Sequence, residues 1–276
     1  MLRGVETHLA YTVKKMKKLN EIIKMVNERS PLIHCITNPI SINSCANAVL
    51  AVGGRPIMAE HPLEVAEITE TADALLLNLA NITDARIKSL QISAAVAMDK
   101  GIPTVLDAVG VACSSLRRKL ALKLIENYRP TVIKGNCSEI MALYNPDYHS
   151  AGVDAQKLGD ISRIAAKLAE KYGTVILVSG KTDIITDGKR IVKIKNGCVQ
   201  LSKVTGTGCM LGALCATYLA VSGGIDAAKT ACGVMGICGE LSRTKRGNGT
   251  FAVNLMDNLS TLTEVEKYLK SEEKNV

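Results

Sequence analysis

PTVLDAVGVACSSLRRKLALKLIENYRPTVIKGNCSE, residues 103–139, holds two short apolar runs, TVL and TVI, on either side of SSLRRKLALKLIEN. Each run ends in polar or glycine residues, and the segment between them repeats its apolar residues at helical spacing. A strand, a helix and a second strand in that order form a crossover, which leaves the two strands parallel. The same alternation continues outward. LIHCITN, ALLLNLANIT and TVILVSGKTD read as strands, and DARIKSLQISAAVAMDKG and DISRIAAKLAEKYG read as helices. Buried strands alternating with amphipathic helices predict an α/β protein, with a mostly parallel central sheet flanked by helices.

The 276 residues fit one domain over 1–276, with no internal repeat, long linker or second domain in view. Val13, Met16, Leu19, Ile22, Ile23 and Val26 predict a helix over 12–29 that stops at Ser30-Pro31. Residues 1–15 show no clear pattern and read as an N-terminal extension. No apolar run reaches membrane-span length, and the basic N-terminus lacks the apolar centre of a signal peptide, so a cytoplasmic protein without a membrane partner is expected. Nine cysteines without a C-x-x-C pair point to reduced, buried thiols, and four histidines far apart in sequence argue against an imidazole metal site. The net charge of +8 draws in anions. Its lysines and arginines are spread along the chain and aromatic residues are few, which argues against a nucleic acid, while smaller polyanions such as nucleotides stay open on charge alone.

Ligands of open parallel sheets bind at the carboxyl ends of the strands. The predicted strands end in Thr37 and Asn38, Asn78, Asp107, Lys134 with Asn136 and Glu139, and Ser179 with Gly180. Asn78 and Asp183 read equally well as turn formers. Asp107 and Glu139 form a carboxylate pair of the kind that holds Mg²⁺ beside phosphates. Further on, alternating residues and the turns TDGK and NGC predict one or two hairpins leading into VTGTGCMLGAL, residues 204–214. There Gly206 and Gly208 permit positive φ, and the N–H groups of Gly206, Thr207, Gly208 and Cys209 at a helix mouth suit an anion. Gly208, Gly212 and Ala216 leave one side of that helix bare, so a structural turn packed closely on a neighbour is the competing reading. The segment matches neither the Walker loop nor the dinucleotide fingerprint. Helices are predicted over 208–221, 225–241 and about 254–270.

HCITNPISINSCANAVLAVGGRPIMAEHPLEV, LDAVGV, VIKGNCSEI, VSGKTDIITDG and VTGTGCMLGAL together resemble hydroxyethylthiazole kinase, the thiamine-salvage family of the ribokinase-like superfamily, in order from about residue 20 onward. The resemblance implies a ribokinase-like three-layer sandwich and ATP-dependent phosphorylation of the hydroxyl of 4-methyl-5-(2-hydroxyethyl)thiazole. It implies that Asn38, Met58 and Gly206 surround the thiazole alcohol. Lys134, Ser179 and Asn136 fall to ATP, and Asp107 and Glu139 to the phosphates and Mg²⁺. A homotrimer with active sites near subunit boundaries is implied as well. Lys134 stands where many members carry arginine, which turns a bidentate contact into a point charge. Ser179 stands for threonine. Relatives elsewhere in the superfamily place an aspartate base at Cys209, and a helix N-terminus favours a thiolate there. Cys209 is accordingly expected to orient the hydroxyl and accept its proton late in the transfer; a small residue that merely fits is the alternative. Rival readings are another ribokinase-like alcohol kinase, such as one for hydroxymethylpyrimidine, and a nonenzymatic nucleotide-binding regulator.

Overall fold

Six parallel strands carry the alternation read from the sequence: β1 (Leu32–Ile36), β2 (Arg55–Ile57), β3 (Ala74–Asn78), β4 (Thr104–Asp107), β5 (Val132–Asn136) and β6 (Val175–Ser179). Three antiparallel strands follow, β7 (Asp183–Thr186), β8 (Arg190–Ile194) and β9 (Ser271–Asn275). The computed structural model describes residues 18–145, 147–148 and 160–276, and among these the strands form one sheet in the order β2-β1-β3-β4-β5-β6-β7-β8-β9. Ala74 to Asn78 of β3 and Thr104 to Asp107 of β4 are buried at every position, as strands covered on both faces must be.

On one face lie α1 (Leu19–Arg29), α2 (Ile42–Ala51), α8 (Thr207–Leu219), α9 (Gly224–Leu241) and α10 (Asn248–Thr261). On the other lie α3 (Val65–Glu70), α4 (Asp84–Lys100), α5 (Ser115–Tyr128), α6 (Cys137–Tyr144) and α7 (Ile161–Tyr172). The result is the expected three-layer sandwich. Local chemistry fixes the helix ends. Thr83, Ser114 and Asp160 accept backbone N–H groups at the starts of α4, α5 and α7, and Gly101 and Gly173 take the left-handed conformation where α4 and α7 stop. From Met210 to Leu219 every residue of α8 is buried, so this helix is apolar all round and sits inside the protein.

One expectation changes and another reaches beyond the described residues. The helix expected over 12–29 is described as α1 from Leu19; Val13, Met16 and the proposed extension lie outside the described residues. The last helix is α10, which begins at Asn248 and ends at Thr261 instead of running over 254–270. Asn20 Oδ1 accepts the Val265 N–H at 2.9 Å, and the Leu19 N–H donates to Glu266 at 2.9 Å, so the tail is tied to α1 and leaves the helical path. Beyond it the polar segment SEEKN becomes the edge strand β9. Ion pairs of Glu272 with Lys195 and of Glu273 with Arg190 and Lys229 hold it to its surroundings. A charged edge of this kind discourages pairing with another sheet.

Candidate active site

Backbone register aligns Asn78 with Asp107 and Asp107 with Lys134, so three neighbouring strands present these residues in one row. The row lies under α8, with Leu76, Val105 and Val132 two residues earlier on the same strands and in the same core. Lys134 Nζ donates to Asp107 Oδ1 at 2.8 Å, and Asn78 Nδ2 donates to Asp107 Oδ2 at 3.0 Å. A Cβ at Gly212 would stand 3.2 Å from Asp107 Oδ2, and one at Gly208 3.9 Å from Lys134 Nζ. The bare side of α8 is therefore what lets the helix lie directly on this ion pair, which is nearly solvent-free. Burial pushes the Asp107 carboxyl above its ordinary range, against the opposing pull of the lysine. Burial also works to lower Lys134, but the Asp107 and Glu139 carboxylates outweigh it and raise the lysine, which keeps its proton.

At the mouth of α8, Gly206 has φ +86°, a left-handed turn that favours glycine, while Gly208 already lies within the helix. Positive φ is thus needed at Gly206, and close approach is needed further along, at Gly212. Gly206 supplies no side-chain cap, and the first N–H groups of a helix have no carbonyl partner inside it. Thr207 turns its hydroxyl back to the carbonyls of Leu201 and Val204, at 2.8 and 3.2 Å, so what it offers the mouth is its backbone. Cys209, half-buried on the first turn, receives Asn78 Nδ2 at 3.4 Å and Asn38 Nδ2 at 3.5 Å on its sulfur. Asn38 is itself fixed, donating to Ser41 Oγ at 2.7 Å and accepting the Ile40 N–H at 3.1 Å. The amide orientations follow from this network.

Glu139 joins the corner from α6. Its Oε2 accepts the Asn136 N–H at 2.7 Å while Asn136 Oδ1 accepts the Glu139 N–H at 2.9 Å, a reciprocal cap. Glu139 Oε1 accepts the Gly110 N–H at 2.9 Å. Asn136, expected at ATP, therefore has its carbonyl oxygen engaged in capping. Ser179 ends β6 opposite Asn136, its hydroxyl 3.5 Å from the Gly135 carbonyl. Met58 follows β2 and packs, partly buried, on the core beneath α8. The row and Cys209 form one contact network; Ser179 and Met58 stand at strand ends on either side of it.

Asn78, at least as readable from the sequence as a turn former, makes both local and long-range contacts. It touches both Asp107 and Cys209, and its own Oδ1 accepts the Ala80 N–H at 2.9 Å. Its signal was positional, at the end of a strand adjacent to the one ending in Asp107. Asp183, the other residue that read as a turn former, ends up near the same corner. It accepts the Gly180 N–H at 2.9 Å and faces Lys134 and Cys232, and burial pushes its carboxyl up to about 6.

Oxygen donors in this corner suit a hard cation. Each oxygen of Asp107 and Glu139 takes one of the hydrogen bonds given above, and a carboxylate has about four acceptor sites, so lone pairs remain. Among the described residues no group of three or more His, Cys, Asp or Glu side chains forms a metal cage. Mg²⁺ is compatible with such a set, because it is commonly held by one or two carboxylates together with phosphate oxygens and waters.

A match to the hydroxyethylthiazole kinase family spans residues 23–265. The chain is 44% identical over 252 residues to hydroxyethylthiazole kinase 2 of Clostridium botulinum (strain Hall), which covers 88% of this chain and 95% of the relative. The solved structure of a hydroxyethylthiazole kinase protein from Pyrococcus horikoshii OT3 superposes with a TM-score of 0.86 at 32% identity, covering 93% of this chain and 98% of the other. A ribokinase-like superfamily protein from Enterococcus faecalis V583 superposes with a TM-score of 0.60 at 14% identity, over 90% of each chain. That last likeness concerns the fold alone, and the fold is ribokinase-like.

Proposed function

The chain belongs to the hydroxyethylthiazole kinase family and is a kinase, and we propose that its site carries the γ-phosphoryl group of ATP to the hydroxyl of 4-methyl-5-(2-hydroxyethyl)thiazole. The observation that supports this most is the meeting of Cys209 Sγ, an uncapped helix mouth and the Asp107–Lys134 pair at one edge of the sheet.

Transfer through a loose transition state is chiefly a matter of positioning and charge stabilisation. The N–H groups of residues 206–209 face the moving phosphoryl group with the positive end of the α8 dipole behind them. Lys134 lends a fixed positive charge from below, kept protonated by Asp107. Cys209 sits beside two amide donors and holds the acceptor hydroxyl, taking its proton late, when the alcohol has become acidic. Asn38, Met58 and Gly206 bound the acceptor, and Ser179 and the Asn136 backbone border the nucleotide. Lys134 faces Asp107, Glu139 and Asp183, so the corner has an excess of negative charge before a nucleotide arrives. Mg²⁺, held by Asp107 and Glu139, would offset that charge together with the charge of the phosphates.

The reading extends to one domain over the whole chain, a cytoplasmic location and a homotrimer. Ile40 and Leu63, large apolar side chains exposed by 64% and 90%, flank the Asn38 and Met58 loops, which supports a second copy of the chain covering this rim. The test is ADP release with ATP and Mg²⁺ in the presence of hydroxyethylthiazole, hydroxymethylpyrimidine or no acceptor. Release that depends on the thiazole is expected. Release driven by the pyrimidine overturns the acceptor, and no release overturns the transfer.

A further inference from the structure

β2 is three residues long and lies at the edge of the sheet, yet the chain leaving it carries Met58. The two residues after Met58 are tied down by side chains from elsewhere. His34 Nε2 meets the Ala59 carbonyl at 2.9 Å, and Ser89 Oγ donates to the Glu60 carbonyl at 2.6 Å. Arg86, at the start of α4 and almost wholly buried, donates through Nε and Nη2 to Glu60 Oε2 at 2.9 and 2.5 Å. Its Nη1 donates in the other direction, to the Asn81 carbonyl at 2.6 Å. Asn81 belongs to the loop leaving β3, holds a left-handed φ of +53°, and follows Asn78, whose amide faces Cys209. One guanidinium thus joins the loop after Met58 to the loop after Asn78.

We propose that Arg86 is a positioning residue for the acceptor alcohol, setting the distance between the Met58 wall and the Asn78 amide beside Cys209. This rests on the reading above that Met58 lines the acceptor site. Arg86 does not touch the reacting atoms; it acts through the two loops. Met58 is a flexible side chain and needs a fixed backbone if it is to present a defined surface. Phosphoryl transfer depends on placing the attacking oxygen to within about 1 Å. A planar fork can serve a carboxylate on one side and a carbonyl on the other, whereas the point charge of lysine cannot span both. The nucleotide side of the site, at β5 and β6, receives none of these bonds.

The experiment is steady-state kinetics of the full chain with Arg86→Lys, Glu60→Gln and Met58→Ala, read beside the thermal midpoint. Arg86→Lys and Glu60→Gln are expected to raise KM for hydroxyethylthiazole about tenfold and to leave KM for ATP with Mg²⁺ within about twofold. Glu60 is half exposed, so Glu60→Gln carries the test if Arg86→Lys does not fold. A lower midpoint with both KM values unchanged reduces Arg86 to a fold stabiliser and overturns the proposal, as does an equal rise in both KM values. If Met58→Ala raises the thiazole KM and the other two variants do not, positioning by Arg86 fails while the acceptor wall stands. If Met58→Ala has no effect, the wall reading fails and the proposal falls with it.

Discussion

Among the helices that open at the carboxyl edge of the sheet, α6 and α8 treat their first N–H groups in opposite ways. The mouth of α6 is sealed from within: Asn136 caps the Glu139 N–H, and Glu139 reaches back to the Asn136 N–H. The mouth of α8 begins at Gly206, which has no side chain to offer. Both mouths carry the same partial positive charge. The difference fits a mouth closed for stability at α6 and supports the proposal that α8 leaves its donors for a ligand. Glycine at Gly206 serves twice, since it permits φ +86° and withholds a competing acceptor. The sealed mouth in turn fixes Glu139, the carboxylate proposed above to serve the nucleotide's metal.

Cys209→Ala breaks the comparison most strongly. On the open mouth kcat is expected to fall about 100-fold, the lower end of what a positioned proton acceptor contributes, with KM for ATP near that of the unaltered protein. Retained turnover would make the sulfur a small residue that fits. The complementary change on the sealed mouth is Asn136→Ala. It is expected to cost about 1 kcal/mol of stability, measured by denaturant unfolding, with Asn136→Asp restoring the loss. Unchanged stability with weaker ATP binding would return the Asn136 side chain to the nucleotide.

The smallest effect sharpens the electrostatics between the two mouths. Asp183 titrates at about 6, so it is charged above that pH and neutral below it. As pH falls through this value the negative charge beside Lys134 disappears and anionic phosphates are repelled less. KM for ATP in the unaltered protein, compared with Asp183→Asn at each pH, is expected to show an extra decrease of about twofold between pH 7 and 5. Parallel profiles in the two proteins would remove Asp183 from the nucleotide's surroundings.

Much of the fold was legible because its central strands are buried on both faces and its longer helices are amphipathic. Short apolar runs between periodic segments announce both directly, as in TVL, SSLRRKLALKLIEN and TVI. The elements that escaped are short or polar. RPI and VAEITE, which form β2 and α3, are too brief to show a period, and SEEKN offers no apolar residue at all. The glycine turn and the carboxylates were visible as residue types at strand ends. Which of them engage one another was not, because Glu139 reads the same whether it caps its own helix or faces a ligand.

The sequence by itself determined the alternation of strand and helix, the polar strand ends, the glycine-led helix mouth with Cys209 and the resemblance to a kinase family. These are local properties, set by spacing and by the backbone freedom of individual residues. Only the tertiary structure decided that Asn78 meets Asp107 across 29 residues, that Lys134 meets Asp107 across 27, and that Asn38 reaches Cys209 across 171. Those contacts depend on strand register and on the close seating of α8, and both are settled by packing the whole sheet at once, since a slip of one residue would turn the row to the opposite face.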